Sequence, residues 1–455
     1  MAKIISMNAE EIRDFIVKHL PNRTDEKDKF GEVFTPDYLV EELFENLPNE
    51  VWYNPNLKWL DPAAGVGNFG LLAYLKLMKT LERTFPDSNE RSNHILTNML
   101  YHVELNSENA KKLKELFGKS NVFSGSFLNS NCEDVNQSIL KVFGVSQFDV
   151  IMGNPPYQRS MTKSEKKGTN AGRQTLWDKF ITTAFNLLKT GGYLVFITPN
   201  SWRGLGKLAH LWQFMKSKKI LFLHIYGMRD GIRHFGASTR FDLFIIQNSV
   251  NNGRYKSNII DELGNKSKMT LTEWPFLPNY MYKEIASILT SEGRGIDVLY
   301  DTFYHTQRTN TMRANKTREF KYPVVHNITR EGLGFWYSNK KRSDNLSVPK
   351  VLLNFNQFQY PYNDYKNVYG MSQLTFGIPI KNKRHGDLLV AAINSQEFKE
   401  IIKATKWAAF QTDWRMFKYF KPDFYKKYLG SNSKKHTMKA KKRIGNISKK
   451  KRNLK

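Results

Sequence analysis

The sequence predicts an α/β fold for its first half, a doubly wound sheet with helices between the strands. Three observations carry this. Apolar runs of strand length alternate with amphipathic stretches of helical length. The first well-defined run ends in a small-residue turn, Asp61-Pro62-Ala63-Ala64-Gly65-Val66-Gly67, that opens a helix, and successive runs stop at acidic or polar residues. A layer of this kind gathers its ligands beyond the carboxyl ends of its strands.

Residues 8–20 predict a helix, with Asn8 as N-cap, Glu11 as its reciprocal partner, and Ile12, Phe15, Ile16 and Leu20 on one face. Thr35-Pro36 then opens an amphipathic helix from Asp37 to Leu47, where a hydroxyl and unpaired first-turn N–H groups suit a carboxylate. Leu57–Leu60 reads as a strand leading into the glycine-rich turn and a helix from Leu71 to about Leu81. The turn lacks the Gly-Lys-Ser/Thr ending of a phosphate loop, and Asp61 would repel a phosphate. An acid there suits a cationic or amino-bearing ligand. The run 99–103 ends at Glu104, placed to accept from ribose hydroxyls, and a helix follows over 107–117. Asn121–Phe123 and Gly125-Ser126-Phe127-Leu128 come third, with a helix around 133–143.

The most informative stretch is Phe148–Tyr157. Residues 148–152 have the length and branching of a buried strand, and two prolines cannot continue a ladder, so the backbone turns at Asn154. Pro155 and Pro156 offer no N–H, which leaves the Asn154 amide oxygen and the Pro155 carbonyl as paired acceptors for one exocyclic amino group. Tyr157 adds a flat ring. Two acceptors and a stacking face suit an adenine, cytosine or amide nitrogen held in place without a strong base. Gln158–Arg173 is a polar, basic loop at the mouth of this site. A helix over 176–188, a break at Gly191-Gly192, and strands over 193–198, 220–226 and 241–247 complete the layer, with Phe235 between the last two as a ring for a substrate base.

Charge divides the chain. Of 70 Lys/Arg and 42 Asp/Glu, residues 1–250 hold 31 and 26, whereas residues 251–455 hold 39 and 16, so +23 of the net +28 lies in the second part. Such a field, interleaved with Tyr, Trp and Phe, favours a polyanion with bases to stack on. Arg173, Arg308, Arg313, Arg318, Lys340, Lys341 and Arg342 are the expected nucleic-acid contacts. Residues 431–455 carry 11 Lys/Arg and no acid, a disordered cationic tail that raises DNA affinity or serves as a nuclear address. The single cysteine, Cys132, allows no intrachain disulfide and argues against a cysteine-based zinc site. Neither a signal peptide nor an apolar run of spanning length is read, so a soluble, cytoplasmic protein without membrane partners is expected.

The order of these stations resembles the class I, S-adenosylmethionine-dependent DNA amino-methyltransferases, in particular the gamma group of adenine-N6 enzymes. In that group a Thr-Pro segment precedes the glycine-rich loop, an Asn-Pro-Pro-Tyr/Phe corner follows, and a target recognition domain comes last. The resemblance implies a class I methyltransferase sheet with helices on both faces over 1–250, a mixed target recognition domain over 251–430, and the tail. It implies that Thr35 and Pro36 help hold the methionine part of the cofactor. Asp61 with the Ala63, Gly65 and Gly67 turn would hold its amino and carboxylate ends, and Glu104 its ribose. Ser126 and Phe127 fall at the cofactor adenine, where the family commonly carries Asp in place of Ser126. Asn154, Pro155, Pro156, Tyr157 and Phe235 would make the catalytic corner, acting on an adenine rotated out of double-stranded DNA with no metal. A monomer is expected, with a companion restriction endonuclease as a further partner. An RNA adenine or protein glutamine-N5 methyltransferase, or a noncatalytic DNA-binding protein on the same fold, are the competing readings.

Overall fold

The computed structural model describes residues 2–8, 10–12, 14, 35–118, 121–128, 139, 142–158, 175–290, 295–341, 347–355, 358–407 and 412–430. Two compact units, Met1–Trp274 and Pro275–Lys455, make up the chain.

The first unit is built on nine strands: β1 (Trp59–Asp61), β2 (Leu100–Glu104), β3 (Val122–Ser124), β4 (Phe148–Gly153), β5 (Leu188–Pro199), β6 (Lys218–Tyr226), β7 (Phe241–Val250), β8 (Ser257–Ile260) and β9 (Lys266–Met269). They stand in the order β3-β2-β1-β4-β5-β7-β6-β8-β9. Strands β1 to β5 pair in parallel, and β7 runs antiparallel to both β5 and β6. The chain steps outward from β1 to β3, then returns to the other side of β1 with β4. That reversal opens a crevice beyond the carboxyl ends of β1 and β4.

Burial explains why these runs are strands. Val150, Ile151 and Met152 of β4 are fully buried, as expected of a strand covered on both faces. The exception, Asp149, is held at the strand's start by the Lys189 ammonium at 2.9 Å and by the Lys58 N–H. Helices α1 (Asp37–Glu45), α2 (Glu50–Tyr53), α3 (Asn68–Thr80), α4 (Ser88–His94), α5 (Ser107–Phe117), α6 (Trp177–Leu187), α7 (Ala209–Lys216) and α8 (Met228–Phe235) complete the unit. Leu39, Val40, Leu43 and Phe44 of α1 join Leu71, Leu72 and Leu77 of α3 in its main core.

Most expected elements stand where the sequence placed them. Asn8 Oδ1 accepts from the N–H groups of Glu10 and Glu11, and Glu11 returns a carboxylate to the Asn8 N–H, so the predicted cap pair forms. Two details differ. Helix α3 starts at Asn68 rather than Leu71, directly after the turn. Gly191-Gly192 does not separate a helix from a strand but lies within β5, where Gly191 at φ +82° accompanies a register shift against β4. Strands β8 and β9 extend the sheet past residue 250, which is why the first unit continues to Trp274. Most of the expected helix over 133–143, the loop over 159–173 and the tail lie outside the described residues.

The second unit is mixed. Strands β10 (Met312–Arg313), β11 (Tyr322–Thr329), β12 (Gly332–Ser338) and β15 (Gly370–Met371) form one sheet, ordered β10-β12-β11-β15. Strands β13 (Lys350–Asn354), β14 (Tyr362–Asp364) and β16 (Thr375–Pro379) form another, ordered β14-β13-β16. Helices α9 (Tyr282–Ile288), α10 (Lys383–Asn394) and α11 (Gln396–Ala404) accompany them. Among the described residues no helix is long and apolar enough to cross a membrane.

Candidate active site

Strand β4 delivers Asn154 into the crevice, and β1 delivers Asp61 beside it. The approach is close. A Cβ built on Gly153, at φ +158°, would stand 3.0 Å from Asp61 Oδ1, so the last residue of β4 must be glycine for the two strand ends to lie together. Pro155 is buried, and Asn154, Pro156 and Tyr157 are half-buried.

The orientation of Asn154 is fixed from a distant segment. Its Nδ2 donates to Thr35 Oγ1 at 3.0 Å, while Asn68 Nδ2 donates to the Thr35 carbonyl at 2.6 Å. With the nitrogen engaged on Thr35, Asn154 Oδ1 is buried without a hydrogen-bond partner among the described residues. An acceptor withheld from water in this way is costly to keep and ready for a donor. The Thr-Pro pair thus sets the amide of the corner, with Pro36 as N-cap of α1. Asn68 was not read from the sequence as part of the site. Its place at the first position of α3, next to the glycine-rich turn, was the available clue.

Tyr157 also carries a buried hydroxyl with no partner among the described residues. Burial, reinforced by the nearby Asp242 carboxylate, pushes its pKa up, so the ring stays a neutral phenol. Asp242 itself forms a fully buried two-pronged ion pair with Arg203: Nε to Oδ2 at 2.7 Å and Nη2 to Oδ1 at 2.9 Å. Burial raises the Asp242 pKa and the guanidinium opposes that shift. Such a pair is a rigid support, because removing either partner strands a buried charge.

The glycine-rich turn has the shape of a cradle. Gly65 and Gly67 take left-handed φ of +56° and +99°, and nothing lies within 4 Å of a Cβ built on Gly65. The Ala63 N–H donates to Asp61 Oδ1 at 3.1 Å, and the Gly65 N–H donates to Glu104 Oε2 at 2.7 Å. Glu104 Oε1 accepts from the Asn106 N–H, so its carboxylate is clamped by backbone while keeping further acceptor capacity. Asp61 is buried. Desolvation, with repulsion from Glu104, raises its pKa to about 8, against the single Ala63 bond that lowers it. Two acids side by side at the end of a sheet suit a cationic group.

The structure does not bring every expected residue to this crevice. Phe235 is 7% exposed and packs edge-on against Phe241 with centroids 4.7 Å apart, in the core. Phe127 is likewise buried and stacks on Phe180 at 5.2 Å. Ser126 Oγ closes a local turn, donating to the Leu128 carbonyl and accepting from the Leu128 N–H. Arg308, Arg313, Arg318, Lys340 and Lys341 are exposed on the second unit. Four of them gather where β10 meets the end of β12, for Met312 pairs with Ser338 and the Asn339 N–H donates to the Thr311 carbonyl. Arg173 and Arg342 lie outside the described residues.

Strand order, switch point and corner together define the sheet of a class I methyltransferase. The chain aligns with the DNA-bound structure of the ATP-dependent Type ISP restriction-modification enzyme LlaBIII at a TM-score of 0.50 and 12% identity, covering 89% of this chain and 40% of that one. This likeness is one of fold. Residues 71–230 match the model of the Eco57I restriction-modification methylase family, which bears out the resemblance read from the order of motifs. An "Uncharacterized adenine-specific methylase" of Mycoplasma pneumoniae is 28% identical over 239 residues, 38% of this chain and 55% of that protein. The Type II methyltransferase M.VspI of Vibrio sp. is 24% identical over 212 residues, 44% of this chain and 45% of that protein. The chain thus spans about half the length of the curated relatives it matches.

Proposed function

We propose that this protein transfers a methyl group from S-adenosylmethionine to N6 of an adenine rotated out of double-stranded DNA. The observation that carries the reading is the buried Oδ1 of Asn154, unpartnered among the described residues, with its amide turned by Thr35. It is an acceptor positioned before any donor arrives.

The cradle fits the cofactor. The Glu104 carboxylate offers negative charge to a cationic group, Asp61, which burial keeps protonated in the unliganded protein, would ionise beside such a group, and the open space above Gly65 admits a backbone-hugging ligand. S-adenosylmethionine supplies an electrophilic methyl group there. The chain's own residues act on the nucleophile. The adenine amino nitrogen has its lone pair spread into the ring. Asn154 Oδ1 and the Pro155 carbonyl accept its two hydrogens, which restores lone-pair density on nitrogen and fixes its direction. On receiving the methyl group that the cofactor would supply, the amino nitrogen would give up one N–H proton to water. Rate is gained from positioning and from dipoles already in place. Tyr157, neutral and backed by the buried Arg203–Asp242 pair, offers the base a firm stacking face. Unstacking the adenine costs a few kcal/mol, which contacts from the basic second unit offset.

The test uses tritiated cofactor with duplex DNA, single-stranded RNA and protein extract as acceptors, and base-resolved sequencing of the DNA product. Incorporation at adenine N6 of duplex DNA is expected, with Asn154→Ala losing turnover while keeping cofactor and DNA binding. Turnover near wild type in Asn154→Ala eliminates the mechanism, and label in RNA or protein alone eliminates the substrate.

A further inference from the structure

The carboxyl end of β5 holds a polar group that the reading above does not use. Pro199 closes the strand, and Asn200 opens a 3-10 turn, Asn200–Arg203. Asn200 is 2% exposed, and its Nδ2 is buried with no hydrogen-bond partner among the described residues. A buried amide donor left unpaired costs the desolvation of its N–H groups, a cost that an apolar side chain of similar shape avoids. The position therefore keeps a donor that the folded chain does not use.

Strand register places this donor beside the catalytic corner. β5 runs parallel to β4 with Gly153 opposite Phe196, so Tyr157 and Asn200 each stand four residues beyond the last rung between the two strands. On its other side β5 pairs with β7, where Thr198 stands opposite Asp242. Opposed residues of a ladder project to one face of the sheet. Tyr157 lies near that face too, since the Asp242 carboxylate adds to the rise of its pKa. The 3-10 turn itself carries Arg203, which grips Asp242 through Nε and Nη2. Asn200 thus stands two residues from the rung, and three from the guanidinium, that hold the carboxylate neighbouring Tyr157.

The two unpartnered amide atoms are complementary. At the end of β4 Asn154 offers an acceptor, and at the end of β5 Asn200 offers a donor. Adenine carries the matching pair on either of two edges: its amino group donates, and the neighbouring ring nitrogen accepts, N1 on the pairing edge and N7 on the other. A keto base would set oxygen against Asn154 Oδ1 and, on its pairing edge, a ring N–H against the Asn200 donor. We propose that Asn200 is a base-reading residue of this site, its Nδ2 donating to the ring nitrogen beside the amino group that Asn154 Oδ1 holds. This rests on the methyl transfer proposed above, and adds to it a means by which an amino base is chosen over a keto one.

Methyl transfer by the full-length protein is measured as kcat/KM on three duplexes that differ only at the target base: adenine, 1-deazaadenine and 7-deazaadenine, set in the sequence that base-resolved sequencing identifies. With adenine, Asn200→Ala is expected to lower kcat/KM about fivefold to a hundredfold, the range for one buried hydrogen bond left unmade, while cofactor affinity by calorimetry is retained. On the analogue that lacks the nitrogen Asn200 serves, the ratio of wild type to Asn200→Ala collapses to about one, and that analogue names N1 or N7. Asn200→Leu, which keeps the volume without the donor, repeats the cycle should the alanine variant not fold. A loss in Asn200→Ala that is equal on all three targets marks a structural role and overturns the proposal, as does unchanged transfer to adenine. Wild-type protein that methylates no DNA removes the reading on which the proposal rests, an outcome told apart from these by wild type alone.

Discussion

Asp61→Asn sets function against stability, and the structure gives the size of the effect. The carboxyl is buried, accepts one hydrogen bond and faces Glu104, which holds its pKa at about 8 in the unliganded protein. In the unfolded chain an Asp titrates near 3.9. Because the folded value is the higher one, the folded state binds the extra proton. The stability tied to this group is fully present below about pH 4 and drains away as pH rises toward 8. At 1.36 kcal/mol per unit, the drain is about 1.5 kcal/mol at pH 5 and about 4 kcal/mol at pH 7. Asparagine keeps the Oδ1 acceptor for the Ala63 N–H and removes the charge. The variant should therefore match wild type below pH 4 and exceed it by about 4 kcal/mol at pH 7, while binding S-adenosylmethionine at least tenfold more weakly at pH 8. Equilibrium urea unfolding across pH 4–8 reads the difference, with hydrogen exchange of peptides spanning residues 59–61 to isolate the first unit. An asparagine variant no more stable than wild type at pH 7, or one that binds cofactor normally, refutes the reasoning.

Three further outcomes are expected. His102 is buried with neither ring nitrogen hydrogen-bonded among the described residues, and desolvation lowers its pKa to about 3. Its neutral form is required, so stability present above about pH 6.5 falls by about 2 kcal/mol at pH 5; His102→Leu should abolish that acid-side loss in the same unfolding series. Arg203→Met strands the Asp242 charge and should cost about 3–5 kcal/mol, read as a lowered urea midpoint; an unchanged midpoint would mean that the buried pair does not hold the first unit together. Deleting residues 431–455 should reduce the slope of log K against log salt by about 0.9 for each phosphate the tail neutralises, without altering the methylated sequence; a new target sequence would assign it a reading role.

Local covalent constraint made the corner legible. Two prolines after a buried run leave the backbone few alternatives, so the sequence alone places Asn154 at a strand end. Glu104 and the glycine turn were legible for a similar reason, since residue type and position along a βα unit fix their place. Partners distant in sequence were not. Nothing near Thr35 indicates that its hydroxyl accepts from Asn154, or that Asn68 holds its carbonyl. Phe235 had the composition of an exposed tip, between His234 and Gly236, yet Phe241 of the neighbouring strand claims its ring. Gly191-Gly192, read as the break after a helix, lies inside a strand that had begun at Leu188. In the second unit the short strands β10 and β15 carry too few residues for any period, so only its mixed character could be read.

The bond from Asn154 to Thr35 joins residues 119 apart in the chain. During synthesis the hydroxyl leaves the ribosome long before its amide exists, and the amide then emerges free to rotate until helix α1 has docked. In a nascent or partly unravelled chain the Asn154 amide therefore has nothing to align it. The acceptor of the corner is aligned only once the segment carrying Thr35 has docked at the end of β4, so this one contact couples the corner to the assembly of that part of the fold.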